Sequence, residues 1–259
     1  MRMMKKVLGT VTVLALSVSL LAGCGSTAVS PVSSTASTAA ESTTSSVVSE
    51  TTSAAADENV AAAAQLLNDL TGSYQELWPV ILADEYQQTW LDDCTALVGE
   101  ENAEAAFEKL SSMVTGDVYG ENAVKAYANG GGAYFCGFTN GLVTLTFDGE
   151  TSTISGTDKD GNVLFSHTYH YIGMEPVRGL YEFESDDADS GEFTYFFLAP
   201  DTSAETYHIE FRYGSDAEAL SQYDAGEYAY WLASGISTDC DQTMIDNCIE
   251  LFCTENLAG

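Results

Sequence analysis

The stretch that decides the fold is Phe193-Thr194-Tyr195-Phe196-Phe197-Leu198-Ala199-Pro200, followed by Thr206-Tyr207-His208-Ile209-Glu210-Phe211. Aromatic and β-branched residues dominate both runs, and a short polar connection separates them, which predicts two neighbouring strands. Gly214-Ser215-Asp216 then begins a helix, because Ser215 and Glu218 have the spacing of a capping box. Alternate residues of a strand share a face, so His208 and Glu210 point the same way.

The rest of the folded part divides into helical ends and a central run of strands. Further short strands, separated by Gly- or Asp-rich turns, are predicted at 142–147, 151–156, 163–171 and 179–184. Short, evenly spaced strands of this kind predict an antiparallel barrel. Helical periodicity predicts helices at 57–70, at 74–98 with an interruption at Pro79, at 101–114, and in a terminal helix opening near Thr238 and Asp241. The expected fold class is therefore α+β, with an antiparallel β-barrel flanked by helices at both ends.

The N-terminus carries the signature of an exported lipoprotein. Arg2, Lys5 and Lys6 form a positive region, and 7–20 is a short apolar run. Leu21-Ala22-Gly23-Cys24 then matches a lipobox, whose cysteine becomes the lipid-modified first residue after cleavage. The apolar run is too short for a comfortable transmembrane helix and ends in small residues. We therefore expect a signal peptide at 1–24, lipid attachment at Cys24, and anchoring at the extracytoplasmic face of the cell membrane.

Composition sets the remaining domain boundaries and excludes some partners. Residues 25–56 are almost entirely Ser, Thr, Ala and Val, which predicts a flexible linker before one domain at 57–259. The chain has 39 acidic and 8 basic residues, a formal net charge of −31. Nucleic acid and anionic lipid headgroups would be repelled by this field, whereas cations would be attracted.

Five cysteines remain after the expected lipid-attachment site: Cys94, Cys136, Cys240, Cys248 and Cys253. No C-x-x-C spacing occurs, which argues against a zinc-ribbon site. Disulfides among the last three are unfavourable on one helix, and buried apolar thiols are the favoured interpretation. The sequence leaves open whether Cys94 and Cys136 pair.

The order of these segments resembles the ZinT family of exported, calycin-like zinc-binding proteins, a domain also found fused to zinc-uptake lipoproteins. The likeness rests on 70–79, on His167-Thr168-Tyr169-His170-Tyr171 followed by 179–183, and on the Ala199-Pro200 step. It extends through Phe211 to the helix start at 214–220. The resemblance implies a calycin/lipocalin-like barrel over the domain at 57–259 and a function in zinc homeostasis.

The family's metal ligands are largely missing. In that family one histidine precedes an Ile-Ile-Ala-Pro-like stretch and a His-x-His pair follows it. These positions fall here on Phe196, Thr206 and His208, so only the last can bind as in the family. A rebuilt site for zinc or another divalent metal would place His208 and Glu210 inside the barrel and add His170 from a neighbouring strand. A hydrogen-bonded histidine–glutamate pair is the competing interpretation.

We expect a membrane-anchored extracytoplasmic lipoprotein that binds a divalent metal and passes it to a metal-uptake transporter. The alternative is a degenerate barrel that has lost metal binding and binds a small apolar molecule or a protein partner. Fourteen Tyr and eleven Phe suit either an apolar cavity or a packed core, and a barrel filled by those rings excludes the small-molecule ligand. The sequence lacks a phosphate-binding loop, a nucleophile elbow and a metalloprotease helix, so an enzyme is not expected.

Overall fold

The computed structural model describes residues 46–200 and 208–258, and the side chains of 58–200 and 208–258. Its centre is a closed barrel in which eight antiparallel strands pair in chain order. The strands are β1 (Gly72–Glu76), β2 (Thr144–Asp148), β3 (Thr153–Thr157), β4 (Val163–Met174), β5 (Tyr181–Ser185), β6 (Tyr195–Leu198), β7 (His208–Gly214) and β8 (Ala233–Ser237). The ring closes where Tyr74 of β1 pairs with Ser237 of β8. The predicted antiparallel barrel is confirmed.

Closely packed aromatic rings, some stacked and some edge-to-face, fill the barrel interior. Phe196 lies at the centre, with ring centroids 5.3 Å from Tyr213 and 5.4 Å from Tyr169. Phe165 and Phe193 stack at 3.9 Å nearby. Side chains packed this closely form a core of ordinary protein density. The interior that a small apolar ligand would need is therefore occupied, which contradicts that part of the alternative function.

Seven α-helices flank the barrel in the described part of the chain. They are α1 (Ser46–Asp69), α2 (Leu77–Ile81), α3 (Gln87–Val98), α4 (Glu100–Val114), α5 (Glu121–Ala128), α6 (Ala217–Leu220) and α7 (Gln242–Leu257). Ala63, Leu66 and Leu67 of α1, together with Leu70 just after it, belong to the same apolar core as the barrel interior. A second core forms where α2, α3, α4 and α7 pack together against the outer face of β8 at Ile236.

Element boundaries differ from the expected ones at four places. The first helix begins at Ser46 and so reaches into the segment expected to be a linker. Strand β1 interrupts the helix expected over 74–98, and β8 was not expected at all. The cap of α6 is Asp216 instead of Ser215, since the Asp216 carboxylate accepts from the backbone of Glu218 and Ala219.

Candidate metal centre on the outer face of the barrel

Strand β7 has one face inside the barrel and one face outside it. Ile209, Phe211 and Tyr213 belong to the interior core. The alternate residues face outward, because His208 pairs directly with Ile236, a member of the helical core. The expectation that His208 and Glu210 point into the barrel is therefore wrong. The physical reason is that the alternating apolar residues of this strand gain more from burial in the aromatic core.

The C-terminal helix covers His208. The residue is 9% exposed, and its ring centroid lies 5.8 Å from that of Phe252 on α7. Phe252 also packs against Trp78 of α2, with centroids 4.8 Å apart. His208 thus lies between its own strand and α7, in a layer that the barrel does not enclose.

Glu210 lies two residues along the same face, and its charge acts on two buried thiols. It pairs in register with Ser234 of β8, whose backbone N–H donates to the Cys136 carbonyl at 3.0 Å. Burial raises the pKa of Cys136 to about 12, and the negative charge of Glu210 adds to this rise. Burial also raises the pKa of Cys248 on α7 to about 12, with the charge of Glu210 again contributing. Imidazole, carboxylate and thiol groups therefore share one layer under α7.

His170 lies elsewhere. It sits on β4, three strands from β7 in the barrel order, with its side chain about half exposed. Its Nδ1 lies 2.7 Å from a carboxylate oxygen of Asp186, and its Nε2 lies 3.9 Å from one of Glu184. The structure therefore does not bring His170 together with His208 and Glu210, and the two-histidine, one-carboxylate set is not assembled.

The two histidines of β4 are three residues apart and occupy opposite faces of the strand. His167 stacks on the buried Phe165 at 5.9 Å, and its Nδ1 lies 2.8 Å from a carboxylate oxygen of Asp187. Each histidine of this strand is thus engaged by an acidic residue of the loop after β5. These pairs fasten that loop to β4.

A zinc site built on the three histidine positions of the ZinT family does not fit this chain. Phe196, at the position of the first family histidine, is fully buried among aromatic rings. Thr206 lies outside the described residues, and His208 points away from the interior. Across 46–200 and 208–258, no group of three His, Cys, Asp or Glu residues is placed to hold a metal ion. Any metal bound near His208 would have to draw its ligands together.

Two further polar clusters were not singled out from the sequence. An open acidic cleft of about 250 Å³ lies between α3 and α7, lined by Thr89, Asp92, Asp93, Asp246, Asn247 and Glu250. Burial raises the pKa of Asp93, and the neighbouring charges of Glu250, Asp246 and Asp92 raise it further. The paired acidic positions on two helices were a visible signal, but their meeting depends on how α3 packs on α7.

The second cluster contains two of the few cations. Arg212 is fully buried on the outward face of β7 and donates to the backbone carbonyls of Leu220 and Tyr228. The guanidinium groups of Arg178 and Arg212 each lie 4.4 Å from the ring centre of Tyr223. These contacts hold the segment before β8 against the barrel wall.

No protein-family model and no curated protein matches this sequence. Among solved structures, the Zn(II)-bound ZinT-like domain of Streptococcus pneumoniae AdcA matches with a TM-score of 0.45 and 16% identity, over 71% of this chain and 89% of that one. Zn(II)-bound AdcA from the same organism matches with a TM-score of 0.42 and 14% identity, over 72% of this chain and 35% of that one. Likenesses this distant carry no argument about function, and membership of the ZinT family stays a prediction from the sequence.

The expected membrane anchor lies outside the described residues, because the predicted signal peptide, the predicted lipobox and Cys24 all precede residue 46. Within the described part, no helix has the length and apolar character needed to cross a bilayer.

Proposed function

We propose that this protein is a lipid-anchored, extracytoplasmic lipoprotein with a ZinT-like barrel, and that it binds zinc or a similar divalent metal for delivery to a metal-uptake transporter. The proposed role is binding and not catalysis. Lipid attachment at Cys24 would hold the barrel at the membrane surface, and the strongly acidic chain would attract cations.

The observation that carries the proposal is the layer under α7. His208, the one family ligand retained in the sequence, lies there with Glu210 two residues along the same face. The thiols of Cys136 and Cys248 lie within the electrostatic influence of Glu210. Nitrogen, oxygen and sulfur donors of these types are the ones that zinc prefers in proteins. The chemistry fits zinc, while the separation of the donors predicts weaker binding than a preassembled site gives.

Zinc titration by calorimetry tests the proposal directly. We expect the full chain in detergent to bind one zinc ion with micromolar affinity, His208→Ala to weaken binding at least tenfold, and Glu210→Gln to weaken it less. His170→Ala is the matched control, because this histidine is exposed and lies on a distant strand. A trace without saturable heat, or equal losses in His208→Ala and His170→Ala, contradicts the proposal.

The anchor has a separate test. Cys24→Ala should move the protein from the membrane fraction to the soluble extracytoplasmic fraction, while a nearby Ser26→Ala should leave it in place. Retention of Cys24→Ala in the membrane fraction would contradict lipid attachment at this residue.

A barrel that binds a protein partner without metal is the second candidate. Its interior is filled by aromatic rings, and the β4–β5 hairpin exposes the apolar side chains of Ile172, Met174 and Val177. This candidate predicts a flat zinc titration for the wild-type chain.

A further inference from the structure

We propose that Cys94 and Cys253 form a reversible disulfide that locks the C-terminal helix α7 to α3. Their sulfur atoms lie 3.8 Å apart in the interface between these helices. Both thiols are fully buried and unoxidised in the structure. Among the five described cysteines, this is the one pair with sulfurs within hydrogen-bonding distance. The structure thus places Cys94 beside Cys253, whereas the sequence left open a pairing of Cys94 with Cys136.

The geometry requires only a small movement. A disulfide has an S–S length of about 2.05 Å, so the two sulfurs must approach by about 1.8 Å. Rotation about χ1 moves a cysteine sulfur by that order without displacing the backbone. The two residues are 159 positions apart, so the bond would close a long loop and constrain the unfolded chain strongly.

Burial controls when the bond forms. It raises the pKa of both thiols, and in Cys94 the hydrogen bond with Cys253 opposes this rise. The reactive thiolate is therefore scarce while α7 is closed. Cys253 lies about one turn before the end of α7 at Leu257, where helices fray most readily. Opening of this last turn exposes Cys253 first.

The oxidant is a small-molecule disulfide, and the reaction consists of two exchanges. The Cys253 thiolate attacks one sulfur of that disulfide, which forms a mixed disulfide and releases the first small thiolate. The Cys94 thiolate then attacks Sγ of Cys253, which forms the protein disulfide and releases the second. Overall, two protein thiols are oxidised and one small disulfide is reduced to two thiols. An excess of reducing thiol reverses both steps.

The lock acts on the layer that covers His208. Phe252, which packs over the imidazole, is the immediate neighbour of Cys253 on α7. Fixing Cys253 to α3 therefore holds Phe252 in place and restricts opening of this end of the helix. In the reduced chain, the same turn is free to open and expose His208. The redox state would thus set access to His208, whether or not a metal binds there.

The test uses the full chain treated with oxidised glutathione or with dithiothreitol. After denaturation and alkylation, we expect peptide mapping of the oxidised sample to give one cross-linked species that contains Cys94 and Cys253. The thermal midpoint should rise by at least about 5 °C on oxidation, and hydrogen exchange at the end of α7 should slow. Dithiothreitol should reverse all three changes.

Cys94→Ser and Cys253→Ser should each abolish the cross-link and the rise in midpoint. Cys248→Ser is the matched control, since this thiol is also buried on α7 and should leave the cross-link intact. Where a variant fails to fold, the wild-type peptide map still decides the matter. Linkage of any other pair would overturn the inference. Full alkylation of both cysteines would also overturn it, if it persists when the oxidation is repeated in about 2 M urea.

Discussion

Replacing Phe196 by histidine tests the central structural conclusion, which is that the barrel interior is a packed core and not a degraded metal site. The substitution restores the family's first ligand at its matched position. Phe196 is fully buried, and its ring packs against those of Tyr213, Tyr169, Phe165 and Phe211. The imidazole fills less of this space and brings polar nitrogens without partners.

The expected loss of stability is large. Truncating a buried phenylalanine costs about 3–5 kcal/mol, and imidazole recovers part of that volume while adding about 1–3 kcal/mol for unpaired polar atoms. We therefore expect Phe196→His to lower the free energy of unfolding by about 3–5 kcal/mol. For a domain of this size, that corresponds to a fall of roughly 6–20 °C in the thermal midpoint. Phe196→Leu is the control, with an expected loss of about 1–2 kcal/mol.

Zinc provides the decisive readout. A metal held by a restored interior site at one hundred times its dissociation constant would return about 2.7 kcal/mol of stability. In urea denaturation followed by tryptophan fluorescence, we expect zinc to have the same effect on Phe196→His as on Phe196→Leu, because His208 faces away from position 196. Zinc-dependent recovery in Phe196→His that is absent in Phe196→Leu would refute the orientation argued for β7.

Three further substitutions probe the outer layer and the helix ends. Asp241→Ala should destabilise the protein by about 1 kcal/mol in urea denaturation, because it removes the side-chain cap of α7; an unchanged midpoint would contradict that function. Arg212→Met should lower the free energy of unfolding by about 2–4 kcal/mol, since the carbonyls of Leu220 and Tyr228 lose their buried donor. In this variant, proteolysis of the segment before β8 should be faster than in the wild type. Asp93→Asn should raise the thermal midpoint at pH 7, because the raised pKa of this carboxyl means that its ionised form opposes folding. That gain should vanish below about pH 4, where the unfolded carboxyl is protonated as well, and a gain that persists there would contradict the electrostatic explanation.

The strand pattern predicted most of the barrel but not its closure. Segments such as β2 and β4 alternate apolar and polar residues between strong turn signals, so their own sequence specifies them. Strand β1 has one buried side chain, Tyr74, and runs directly into a helix. Strand β8 consists mostly of small residues. Both strands exist because each pairs with a neighbour that the rest of the fold supplies, and such tertiary pairing leaves little mark on local sequence.

The candidate site shows a different limit of prediction from the sequence. Alternation correctly placed His208 and Glu210 on one face, and the apolar set Ile209, Phe211 and Tyr213 was a sign that this face is not the interior. The family resemblance favoured the opposite orientation. Because α7 covers the outer face, both faces of β7 are largely buried, and burial of a histidine cannot distinguish them.

The filled barrel and the covered outer face together explain how this chain departs from the pattern it resembles. Phe196 adds dispersion and ring-stacking energy at a position where a metal ligand would need space and polar partners. The donors that remain lie on the opposite face of the strand, where α7 carries Phe252 over His208, with Cys253 next along the helix. Any function of His208 therefore depends on the opening of one helix end. That end carries Cys253, one of the two cysteines of the proposed disulfide. Ligand binding and redox state would therefore act on the same equilibrium, the opening and closing of the last turn of α7.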